Sequence, residues 1–75
     1  MPINQADARQ LAHVMLLAYG EDIEQVVAIL RPLIAQWPSI DWMGELRTVA
    51  ATFQGFIDSG LSVQWWLNEV ERRLT

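Results

Sequence analysis

The sequence predicts an all-α protein, a compact bundle of four helices with short connections, the second helix bent at Pro32. Three observations carry that expectation. Apolar residues recur at i, i+3, i+4 and i+7 through four segments, the spacing that gathers side chains on one helix face. Start residues (Asn4, Asp22, Asp41, Ser62) and stop residues (Gly20, Pro38, Gly60) bracket those segments. The connections between them are only a few residues long, which favours helices lying side by side.

Helix 1 is expected over Gln5–Tyr19, with Asn4 as N-cap, Asp7 three residues on, and Gly20 as the stop. Ala8, Leu11, Val14, Met15 and Ala18 form its inward stripe, and Leu16 and Leu17 fall outside it on either side of His13. The second half of this helix is therefore apolar nearly all round. That calls for a central position or for a second face covered by another subunit.

Asp22 starts helix 2 with Gln25 in capping-box spacing, and Glu21, Asp22 and Glu24 set negative charge at the positive end of its dipole. The inward stripe is Ile23, Val26, Val27, Leu30, Leu33, Ile34 and Trp37. Pro32 interrupts this segment on the side opposite the stripe, beside Gln25 and Gln36. An interior proline costs roughly 3 kcal/mol in a straight helix. The apolar period continues through it in phase, so the helix should bend around the core with Pro32 on its convex side. The alternative is two short helices broken at Arg31.

Ser39–Gly60 holds the cleanest amphipathic pattern. Trp42, Met43, Leu46, Val49, Ala50, Phe53, Phe56 and Ile57 share one face of a single helix, capped by Ser39 or Asp41. Glu45, Thr48, Ala51, Thr52, Gly55 and Asp58 make the opposite face, polar or small throughout. The link from Trp37 to Trp42 is so short that helices 2 and 3 should be antiparallel neighbours, both indoles covering one end of the core.

Helix 4 follows the SGLS turn. Ser62 is its N-cap, and Leu61 and Trp66 stand at the positions of a hydrophobic staple. Val63, Trp66, Leu67, Val70 and Leu74 face inward, while Arg72 and Arg73 complement the dipole at the C-terminal end. No repeat or linker interrupts the chain, so residues 1–75 are expected to form one helical domain.

Composition narrows the function. Seventy-five residues with no cysteine must hold a small core without disulfides or thiolate metal sites. Each large buried side chain contributes roughly 1.5–3 kcal/mol, against roughly 1–2 kcal/mol of backbone entropy per ordered residue. A partner surface would relieve that balance, which points to self-association, a homodimer being the simplest form. The net charge is −4, the pI is about 4.6, and all five cations are arginine. Neither nucleic acid nor an anionic membrane suits such a balance. No cationic segment precedes an apolar run at the N-terminus, and no run approaches the roughly 20 residues of a membrane span, so the cytoplasm is the expected compartment.

No catalytic set emerges. His13 is the single imidazole, Ser39, Ser59 and Ser62 suit caps and turns, and Gly20, Gly44, Gly55 and Gly60 are too scattered for a phosphate loop. No cofactor or metal is expected, and the chain is not expected to be an enzyme.

Ser39-Ile40-Asp41 ahead of a helix, in a short acidic helical chain, resembles the Asp-Ser-Leu helix start of acyl carrier proteins. The resemblance spans three or four residues and implies Ser39 as the attachment point for phosphopantetheine. Pro38 stands where the family has aspartate, and helix 2 occupies what would be a long loop.

The remaining signal is surface. Trp65 lies nearly opposite the inward stripe of helix 4, beside Glu69 and Arg72, a composition found at interface hot spots. Thr48 and Thr52, with Ala51 and Gly55, make a smooth outer strip on helix 3. Leu16 and Leu17 add apolar area on helix 1. The expected function is that of a small acidic protein–protein interaction module, an adaptor or inhibitor that self-associates and binds a partner with a basic surface. A structural subunit of a larger assembly is the other expectation.

Overall fold

Residues 3–75 are described by a computed structural model, and every regular element among them is an α-helix. Met1 and Pro2, the head of the expected domain, lie outside the described residues. Helix α1 (Gln5–Tyr19) begins where Asn4 and Asp7 cap one another. Asn4 Oδ1 accepts the Asp7 amide at 2.8 Å, and the Asp7 carboxylate accepts the Asn4 amide at 3.1 Å. Two donors that a helix start leaves unpaired are satisfied this way.

Helix α2 (Ile23–Gln36) starts at Asp22, whose carboxylate accepts the Gln25 amide at 3.3 Å. It runs through Pro32 without splitting at Arg31. Val26, Val27 and Leu30 are buried ahead of the proline, and Leu33 and Ile34 are half-buried on either side of the next turn. At roughly 1.5–3 kcal/mol per buried side chain, that stripe outweighs the roughly 3 kcal/mol of an interior proline.

The single helix expected up to Gly60 is instead two. Helix α3 (Trp42–Ala51) is capped by Asp41, whose carboxylate accepts the Gly44 amide at 2.9 Å, and helix α4 (Gln54–Ser59) follows a break at Thr52 and Phe53. The described residues therefore form five helices, not four. The Thr52 amide turns back to the carbonyls of Val49 and Ala50, and Phe53 takes an extended backbone with φ −71° and ψ 117°. The two phenylalanines explain the break. Phe56 is buried with its ring 5.0 Å from Trp66, while Phe53 meets the edge of Phe56 at 5.1 Å and lies over Gly55. A Cβ on Gly55 would come within 2.7 Å of the Phe53 ring. Breaking the helix seats Phe56 in the core with Phe53 half-buried against it, and it turns Ile57, an expected core residue, outward. Gly60, at φ 72°, closes α4, with its amide on Ile57 O and that of Leu61 on Phe56 O.

Helix α5 (Val63–Leu74) is capped by Ser62, which accepts the Trp65 amide at 3.3 Å. Trp66, Leu67 and Val70 are buried and Val63 and Leu74 half-buried, as the periodicity predicts.

The principal packing contacts form a closed ring, α1 to α3, α3 to α5, α5 to α2 and α2 to α1. Helices α2 and α3, expected as antiparallel neighbours, stand across this ring from one another. Their connection folds on itself: Trp37 O accepts both the Ile40 amide at 3.2 Å and the Trp42 indole N–H at 3.1 Å. Trp42 is buried by that turn, and α3 crosses to α1.

Helix α1 is also rotated from its expected setting. Ala8, Ala12, Met15 and Leu16 are buried, whereas Leu11 and Val14 are 41% and 51% exposed. Small Ala8 and Ala12 let α3 approach closely, and the rotation brings Gln5 and Arg9 over α3. Glu45, assigned to the polar outer face, is consequently buried. It accepts Arg9 Nε at 2.8 Å and Gln5 Nε2 at 3.1 Å. The bond from Arg9 holds the Glu45 carboxyl below its ordinary value, against the opposing effect of burial. Among the described residues no buried side-chain polar atom lacks a partner.

Candidate functional site

The residues singled out from the sequence fall into two surfaces and one core position. Leu16 is the core position: it is 1% exposed under α1, so it offers nothing to a partner. The same rotation that buries it leaves Leu17 at 65% exposure, on the opposite flank of the helix.

Leu17, Thr48 and Thr52 come together. They line a groove of about 420 Å³ between α1 and α3, with Arg9, His13, Val49 and Phe53. A second hollow of about 430 Å³ shares Leu17 and Phe53 and reaches Tyr19 and Gly20. The hydroxyls of Thr48 and Thr52 donate to Gly44 O and Val49 O of their own helix, at 3.0 and 3.4 Å. The groove thus offers apolar contact and a few hydrogen-bonding groups around a projecting leucine. Gly55, expected on the same strip as Thr48 and Thr52, is exposed but belongs to α4, where the Phe53 ring occupies the space a Cβ would need.

Trp65, Glu69 and Arg72 make the second surface, on the outer side of α5. Trp65 is 52% exposed. Arg72 grips Glu69 through two bonds, Nη2 to Oε2 at 2.8 Å and Nε to Oε1 at 3.3 Å. That pairing lowers the Glu69 pKa despite partial burial and raises that of Arg72. It also fixes the guanidinium plane about 10 Å along the helix axis from Trp65, two turns away.

Arginine gathers at one further place. Arg31, Arg72 and Arg73 line a cleft between α2 and α5 with Glu24. Arg31 donates to the Arg73 carbonyl at 2.7 Å, and Arg73 faces Glu24 at 3.6 Å and Glu69 at 3.8 Å. These cations are answered by the chain's own acceptors, and they fasten α2 to the C-terminal end of α5. Ser39 is exposed in the turn ahead of α3, where Asp41 is the cap. Among the described residues no three His, Asp or Glu side chains gather as metal ligands would, and no helix is long and apolar enough to cross a membrane.

The periodicity missed the outer face of α1. Among the described residues, Leu11, Val14 and Leu17 on that face and Tyr19 at the end of the helix are four of the six large apolar side chains left exposed, the others being Ile57 and Trp65. The available clue was the alternative arc of Ala8, Ala12 and Leu16, in which alanines mark a close helix contact. Comparison with protein-family models, curated proteins and solved structures found no match to this chain.

Proposed function

We propose that this protein is a small acidic interaction module of the cytoplasm, an adaptor or inhibitor that binds and modulates another protein and also pairs with itself. The observation that carries this reading is the apolar outer face of α1, exposed in a chain with few large side chains to spare. A net charge of −4 favours a partner with a basic surface and speeds the encounter. Self-pairing fits α5. In an antiparallel α5 pair centred between Asn68 and Glu69, Trp65 of each copy meets Arg72 of the other. A guanidinium held in plane by a carboxylate leaves its flat face free for an indole.

Light scattering on the eluting peak of a size-exclusion column tests the self-pairing, and affinity capture from the native cell extract tests the partner. A dimer mass that Trp65→Ala reduces to the monomer, with a specific partner retained, is the expected result. A monomer at every concentration together with no retained partner overturns the reading. Incubation with a phosphopantetheinyl transferase separates it from a carrier role, in which Ser39 would gain the mass of the prosthetic group.

A further inference from the structure

We propose that the outer ridge of α1, formed by Leu11, Val14, Leu17 and Ala18, docks a basic amphipathic helix of the partner protein. This rests on the interaction-module reading and assigns that module's partner face. The four side chains fall within roughly a third of the helix circumference and extend along about 10 Å of its axis. All are exposed, and Leu17 is more so than Leu11 or Val14. Two turns of apolar ridge beside a groove is the form that a helix with an i, i+3, i+7 stripe recognises.

Charge decides the occupant. Within this arc the charged residues are Asp7 near one end and Glu21 just past the other. Arg9, the cation of α1, lines the neighbouring groove outside this arc, with its charge paired to Glu45 at 2.8 Å. A second copy meets like charge in either orientation. Antiparallel pairing centred on Val14 sets Asp7 against Glu21, and parallel pairing sets each carboxylate against itself. An anionic lipid surface meets the same carboxylates and the net charge of −4. A helix with lysine or arginine at both ends of its apolar stripe satisfies the ridge and both carboxylates. The Trp65 surface used for self-pairing is on α5, across the ring from α1.

The probes are two synthetic helical peptides with one leucine stripe, flanked by lysines in one and by glutamates in the other. Each is titrated into the full-length, nitrogen-15-labelled protein and followed by amide chemical shifts. The lysine peptide should bind at least about tenfold more tightly, weaken with added salt, and shift amides centred on Leu11, Val14 and Leu17. Val14→Gln and Leu17→Gln should abolish binding with the helix content unchanged, and Glu21→Gln should narrow the preference for lysine. Equal binding of the two peptides, shifts centred elsewhere, or full binding by Val14→Gln overturns the assignment. Capture from cell extract separates the two readings. A partner retained equally by wild type and Val14→Gln refutes the α1 face and leaves the module standing, whereas no partner with either probe, from a monomer, refutes both.

Discussion

The indole N–H of Trp66 donates to the carbonyl oxygen of Gly20 at 2.7 Å, joining residues 46 positions apart in the chain. Trp66 is fully buried, and the bond ties the start of α5 to the turn between α1 and α2. Trp66→Phe keeps an aromatic ring beside Phe56 but leaves the Gly20 carbonyl unpaired. An orphaned buried acceptor costs roughly 1–3 kcal/mol, and the smaller ring adds a cavity. The urea midpoint should fall accordingly with the slope of the transition unchanged.

Leu16 and Leu17 are adjacent in sequence and opposite in consequence. Leu16→Ala should cost roughly 2–5 kcal/mol, because its side chain is enclosed and the surrounding helices relax only in part. Leu17→Ala should stay within about 0.5 kcal/mol, since its side chain projects into solvent. Parallel urea titrations of the two variants decide it. Similar losses in both would mean that α1 is rotated from the setting described.

The Glu45 carboxyl is held below its ordinary 4.5 by the bond from Arg9, aided by Gln5. A carboxyl whose pKa is lower folded than unfolded contributes stability that is complete above the unfolded pKa. That contribution is lost as pH falls through the folded value. Stability should therefore decline as the pH drops below 4.5, and Glu69, lowered by Arg72, acts in the same direction. Glu45→Gln should be less stable than wild type near neutral pH and lose less on acidification. Melting temperatures of both proteins across that range test the sign.

Gly55 and Phe53 should behave as a coupled pair. Gly55→Ala sets a methyl group 2.7 Å from the Phe53 ring and should destabilise by roughly 1–3 kcal/mol as the ring is displaced. In a Phe53→Ala background the same change meets no ring. There it should stabilise by up to about 1 kcal/mol, through the helix preference of alanine over glycine. A double-mutant cycle by chemical denaturation measures the difference, and additive effects would refute the contact.

The proposed surfaces were legible from the sequence in unequal measure. Trp65, Glu69 and Arg72 could be placed together because they lie on one helix at i, i+4 and i+7, where spacing alone fixes the face. Leu17, Thr48 and Thr52 were each visible as surface residues, but nothing in their spacing says that α1 and α3 bring them to one groove. Leu16 was misplaced, and Leu11 and Val14 with it. The helix carries two overlapping apolar arcs, and only the neighbour it packs against selects one.

The sequence by itself determined where α1, α2 and α5 lie and how they start. Asn4, Asp22 and Ser62 each cap an amide three residues on, and such contacts form within a single turn without regard to the rest of the chain. Only the tertiary structure decided the break at Thr52 and Phe53, the burial of Glu45, and the placing of α2 across the core from α3. Each of these depends on partners distant in sequence: Phe53 on Gly20, Glu45 on Arg9, and Trp66 on both Phe56 and Gly20. A helical period records that a face is to be covered, and the identity of what covers it is settled by packing.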